Sequence, residues 1–134
     1  MRNEFEKNGS VLIVVVFAIA LLTAFVAGML QLNIEQIQLM KNEVFSAQAL
    51  AIAEAGIADA FSQLRSDPNW NSGFSNKSLG GGSYTVTVTG SLPIRDVNST
   101  GTSAQNFIAT VDANTTVGTT SPYMIRINKL RINE

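Results

Sequence analysis

The chain has 134 residues and contains neither Cys nor His, so its chemistry-bearing groups are carboxylates, Lys, Arg, Tyr and hydroxyls. That removes thiolate and imidazole ligands, disulfides, and every Ser-His or Cys-His nucleophile. The ten acidic residues are scattered, with no paired constellation for general acid–base work. No catalytic residue is assigned, and no enzyme activity is expected. Two short acidic-amide pairs stand out, Asp96-Val97-Asn98 and Asp112-Ala113-Asn114. Their oxygens suit calcium, but neither has the ligand ladder and turn glycine of an EF-hand, and Asx turns are the simpler reading. No metal or other cofactor is expected. Arg126, Lys129 and Arg131 cluster near the C-terminus, where cations could meet phosphate, although three cations on a strand also keep a sheet edge soluble. With ten acidic and nine basic residues the net charge is -1, which gives no global field for nucleic acid, and none is expected as a partner.

The elements that position these groups differ along the chain. Val11 to Leu30 reads VLIVVVFAIALLTAFVAGML, and no charge occurs between Lys7 and Glu35. Twenty helical residues at ~1.5 Å rise span ~30 Å, the thickness of a bilayer's hydrocarbon core. A domain this small could hardly bury a helix that is apolar on every side, and the run exceeds the ~7–15 residues of a secretory signal core. One transmembrane helix is therefore expected over 11–30, with Val14, Phe17, Leu21, Phe25 and Gly28 among its membrane and assembly residues.

From Gln31 to Arg65 the pattern becomes amphipathic, with seven alanines between Ala47 and Ala60, and Ser66-Asp67-Pro68 is placed to stop the helix. Ala47, Ala51, Glu54, Ala58 and Phe61 are expected to pack against the following domain. Glu54 has two readings: a bond to a backbone group in the head or in a neighbouring subunit, or an ordinary solvated helix residue.

Beyond Pro68 the composition turns to β: ten of eleven threonines and seven of ten glycines lie between Gly73 and Thr120. Asn69 to Ser83, with Gly80-Gly81-Gly82, reads as a connecting loop. Tyr84 to Thr89 alternates strictly and predicts a strand with Tyr84, Val86 and Val88 inward. Further strands are expected over Ile94–Asn98, Phe107–Asp112 (Phe107, Ala109 and Val111 inward) and Tyr123–Ile132. In the last, Ile125 and Ile127 differ in parity from Leu130 and Ile132, which a bulge or tight bend near Asn128-Lys129 would reconcile. Trp70, Phe74 and Tyr84 are expected to fill the helix-to-sheet junction. The fold class is thus α+β: a long N-terminal helix packed on a small antiparallel sheet.

The junction Glu6-Lys7-Asn8-Gly9-Ser10 before the apolar run, together with NEVFSAQALAIAEAGI from Asn42 to Ile57, resembles the type IV pilin-like superfamily. More narrowly, GSVLIVVV with the downstream Ala-Glu-Ala-Gly is similar to the N-terminal domain of PilX-like minor pilins. The resemblance covers roughly residues 6 to 60. It implies a lollipop-like fold with a leader at 1–9, a long helix at 10–66 and a β head at 67–134. It also implies cleavage between Gly9 and Ser10 by a prepilin peptidase, followed by methylation of the new amine. The implied partners are that peptidase, other minor and major pilins, the inner-membrane pilus assembly machinery and the lipid bilayer. The implied location is a single-pass inner-membrane protein with a cytoplasmic N-terminus and an extracytoplasmic head, which later joins a pilus fibre or its tip.

Two positions depart from the major-pilin pattern. Val14 stands where major pilins carry Glu, and Gln31 stands where many carry Pro. Both departures favour a minor pilin, and Val14 further suits a subunit acting in initiation at the fibre tip. A minor pseudopilin of type II secretion shares the same helix and processing, and a signal-anchored extracytoplasmic binding protein shares only the helix.

Overall fold

The computed structural model describes the backbone of residues 2–133 and the side chains of residues 9–133. The expected leader therefore lies largely outside the residues whose side chains are described. One helix, α1, spans Arg2–Ser66 and is followed by five strands: β1 (Phe74–Leu79), β2 (Gly82–Thr89), β3 (Ile94–Thr102), β4 (Ile108–Val117) and β5 (Ile125–Asn133). The helix begins ahead of the expected Ser10. The chain divides into two compact units, residues 1–41 and 42–134.

In the first unit the apolar side chains from Val11 to Met40 are all solvent-facing, as a helix with no protein cover must leave them. Its sole described side-chain hydrogen bond is local, from Thr23 Oγ1 to the Ile19 carbonyl one turn back (2.8 Å).

The second unit is a meander of five antiparallel strands in the order β1-β2-β3-β4-β5, with the last turns of α1 laid on one face. Tyr84, Val86 and Val88 on β2, Val97 on β3, and Val111 and Ala113 on β4 make the sheet side of the core. The helix side is Ala49, Ile52, Ala53, Gly56, Ile57, Ala60 and Leu64. This corrects the expected packing face. Ala47, Ala51, Glu54 and Ala58 point to solvent, and only Phe61 of that set packs partly on the core. Alanines recur at nearly every second position, so small residues lie on both faces, and the bulky Ile52, Ile57 and Leu64 decide which face is buried.

Close approach sets the seam. A Cβ on Gly101 would lie 3.0 Å from the Ala53 Cα, and one on Gly56 would lie 3.0 Å from Tyr84 Cδ2. These inward small residues also explain why β3 and β4 outrun their expected ends. Ser99 and Gly101 continue β3, and Ala113, Thr115 and Val117 continue β4, all buried.

The expected loop over Asn69–Ser83 is instead half hairpin. β1 pairs with β2, with Leu79 opposite Gly82, and Gly80 (φ 58°) and Gly81 (φ 84°) form the two-residue turn that left-handed glycines permit. β1 is an edge strand in which only Phe74 is partly buried and Ser75 to Leu79 are exposed, so it carries no alternation to read. The parity slip in β5 is a bulge. Asn114 pairs with Lys129 and Thr115 with Ile127, which leaves Asn128 as the extra residue.

Candidate functional site

Two surfaces carry the candidate function: the apolar segment of α1 and the two faces of the sheet unit. On the helix, Val14, Phe17, Leu21 and Phe25 are exposed by 56 to 64%, and a Cβ on Gly28 would meet nothing within 4 Å. α1 is long and apolar enough to cross a membrane, which makes it a candidate membrane anchor. Its apolar circumference is uncovered among the described residues.

In the sheet unit the two acidic-amide pairs are not Asx turns. They lie on adjacent strands in register, Asp96 opposite Asn114 and Asn98 opposite Asp112. Asn114 Nδ2 donates to Asp96 Oδ1 (2.6 Å), and Asn98 Nδ2 donates to Asp112 Oδ1. Each carboxylate is thus satisfied across the strand pair by an amide. Among the described residues no three His, Cys, Asp or Glu side chains are grouped to hold a metal ion. The lattice continues onto β5, where Lys129 faces Asn114 and Arg131 faces Asp112, and a shallow hollow of about 470 Å³ opens over the two rows. The bulge aligns Arg126 with Thr116, so all three C-terminal cations share this outer face.

Sequence reasoning missed two charged sites. Asp59, on the packed part of α1, accepts from Lys77 Nζ of β1 and from the Tyr84 hydroxyl of β2, both at 2.5 Å to Oδ2. Lys77 also sits 4.7 Å above the Phe74 ring, and Phe74 lies tilted against Trp70 and meets Tyr84 edge-on. The expected aromatic filling of the junction is therefore present, closed by an ion pair. Finding this pair required β1 to be recognised first. The second residue is Arg95, which is 6% exposed on the core side of β3. Its Nη2 donates to the Pro68 carbonyl (2.9 Å) and its Nη1 to the Gly90 carbonyl (2.8 Å), tying the helix exit to the β2–β3 turn. Its parity with Val97 is the signal that placed it inward. Glu54 is exposed beside a groove lined by Ala47, Leu50, Ala51 and Phe107, and the Phe107 ring stacks on Phe45 at 5.9 Å.

The bonds from Lys77 and then Tyr84 hold the Asp59 carboxyl below its ordinary 3.8, burial opposing them. The bond to Asp59 raises Lys77 above 10.5, and burial, followed by the bond to Asp59, raises Tyr84 above 10.0. The depressed acid stabilises the fold above its unfolded pKa, and that contribution is lost as pH falls through the folded value. The raised Lys77 and Tyr84 stabilise below their unfolded pKa values and are lost as pH rises through the folded ones. Asp59→Asn should thus lower stability at neutral pH, with the gap to wild type closing below about pH 3.8 and also narrowing above about pH 10. Urea midpoints across pH check this; a gap that is constant with pH would show that the charges do not contribute.

Comparison with protein-family models, curated proteins and solved structures finds no match for the chain.

Proposed function

We propose that the chain is a minor pilin-like structural component of type IV pilus assembly, cut between Gly9 and Ser10 by a prepilin peptidase and acting in initiation at the fibre tip. One observation carries the reading. A single helix runs unbroken from Arg2 to Ser66, its span exposing apolar side chains all round while Ala49 to Leu64 form one side of a β-sheet core. A segment apolar on every side is stable in lipid, and it leaves lipid without penalty only when similar helices replace the acyl chains. The partners that follow are the bilayer, then other minor and major pilins and the inner-membrane assembly machinery. The implied topology has the sheet unit outside the inner membrane.

Val14 supports placement at the tip. A carboxylate within hydrocarbon is costly unless a neighbour supplies a cation, and a subunit with Val14 neither bears that cost nor gains the attraction. Such a subunit suits a position that lacks the neighbour which would offer an amine.

Mass spectrometry of purified fibres tests both claims. A mature N-terminus at Ser10 is expected, at an abundance far below that of the major subunit. Gly9→Ile should block the cut without disturbing the fold, because a Cβ at Gly9 meets nothing within 4 Å. A chain that keeps Met1 in the fibre, or one as abundant as the shaft subunit, would overturn the proposal.

A further inference from the structure

β5 ends the sheet, and the two faces of this open edge have different chemistry. On the core face Ile127 opposes Thr115, Leu130 opposes Ala113 and Ile132 opposes Val111. The β4 residues are at most 2% exposed, whereas Ile127, Leu130 and Ile132 are 50, 50 and 46% exposed. The apolar surface of the sheet therefore runs one strand past the cover that α1 provides. On the other face Arg126, Lys129 and Arg131 stand in a row, and no carboxylate among the described residues lies within ion-pair distance of them.

We propose that β5 is a strand-addition site for an extended segment of another polypeptide that alternates acidic and apolar residues. A strand laid beside β5 satisfies the edge amides and carbonyls, and its side chains fall alternately on the two faces. Its apolar residues extend the layer formed by Ile127, Leu130 and Ile132, and its carboxylates stand opposite Lys129 and Arg131 on the outer face. Charge complementarity selects this occupant over a second copy of the chain. Two β5 strands paired antiparallel would set cations against cations on the outer face, and directly opposed like charges destabilise a ladder. The site belongs to the sheet unit and does not depend on the pilus reading.

The experiment uses the full chain in detergent micelles and two labelled nine-residue peptides, one alternating Glu and Val and the other Lys and Val, with binding read by fluorescence anisotropy. The Glu-Val peptide is expected to bind, with affinity falling as salt is raised, and the Lys-Val peptide is expected to bind at least tenfold more weakly. The double variant Lys129→Glu/Arg131→Glu should reverse that preference, since both cross-strand charge pairs change sign. Leu130→Ser/Ile132→Ser should weaken the Glu-Val peptide while the chain stays folded at the assay temperature, since both side chains are half-exposed and leave the covered core residues in place. Binding of neither peptide, equal binding of both, a preference unchanged by charge reversal, or concentration-dependent self-association through β5 would each overturn the proposal.

Discussion

Gly101→Val is expected to destabilise the sheet unit strongly at neutral pH. Gly101 faces α1 from the last residues of β3, next to its end at Thr102, and a Cβ there would lie 3.0 Å from the Ala53 Cα and closer still to the Ala53 amide nitrogen and the Ala49 carbonyl. These are backbone atoms of a hydrogen-bonded helix, so no rotamer change relieves the overlap and the helix must lift from the sheet. Overpacking that side chains can absorb costs ~1–3 kcal/mol. Here the separation spreads along the whole seam, and loss beyond ~3 kcal/mol is expected out of the ~5–15 kcal/mol that stabilise a typical domain. Thr87→Val is the control. It lies on an exposed outward position of β2 and should change stability by under ~0.5 kcal/mol. Urea unfolding followed by circular dichroism separates the two, and a Gly101→Val variant with the wild-type midpoint would refute the close helix–sheet contact.

The same small residues determined what could be read from the chain. Tyr84, Val86 and Val88 announced β2 because bulky apolar groups alternate with threonines, and the parity change between Ile127 and Leu130 announced the bulge in β5. β3 and β4 were legible only in part. Besides Val97 and Val111, their inward positions include Ser99, Gly101, Ala113 and Thr115, small or polar residues that carry little hydrophobic signal. The packing face of α1 was misplaced by one alanine stripe for a related reason: Ala47, Ala51 and Ala58 are as small as Ala49, Ala53 and Ala60, and only the latter set lies beside Ile52, Ile57 and Leu64. β1 escaped altogether, since an edge strand reading Phe-Ser-Asn-Lys-Ser-Leu buries nothing regularly, and the Asp59–Lys77–Tyr84 cluster escaped with it. The acidic-amide pairs were visible as motifs, but their role was not. Pairing Asp96 with Asn114 and Asp112 with Asn98 requires the β3–β4 register, which no short motif encodes.

Removing residues 1–66 is expected to abolish folding of the remainder, whereas a chain beginning at Asn42 should fold. Residues 42–134 form one compact unit, and the packed turns of α1 belong to it. Ile52, Ile57 and Leu64 are at most 7% exposed, and burying a side chain of this kind is worth ~1.5–3 kcal/mol. These three residues together approach the whole stability of a small domain before the sheet side is counted. Without the helix, Val86, Val97 and Val111 would face water as a continuous apolar layer between two open edges, a surface that aggregates rather than persists. The expected result is a cooperative urea transition and dispersed amide resonances for residues 42–134, against a collapsed or aggregated product for residues 67–134. A synthetic helix of residues 42–66 should restore the transition when mixed with the shorter fragment, because the seam is formed by side-chain packing and close backbone approach rather than by covalent continuity. A monomeric, cooperatively folded fragment beginning at Asp67 would show that the sheet holds its own core, and the helix would then be an attachment rather than half of the fold.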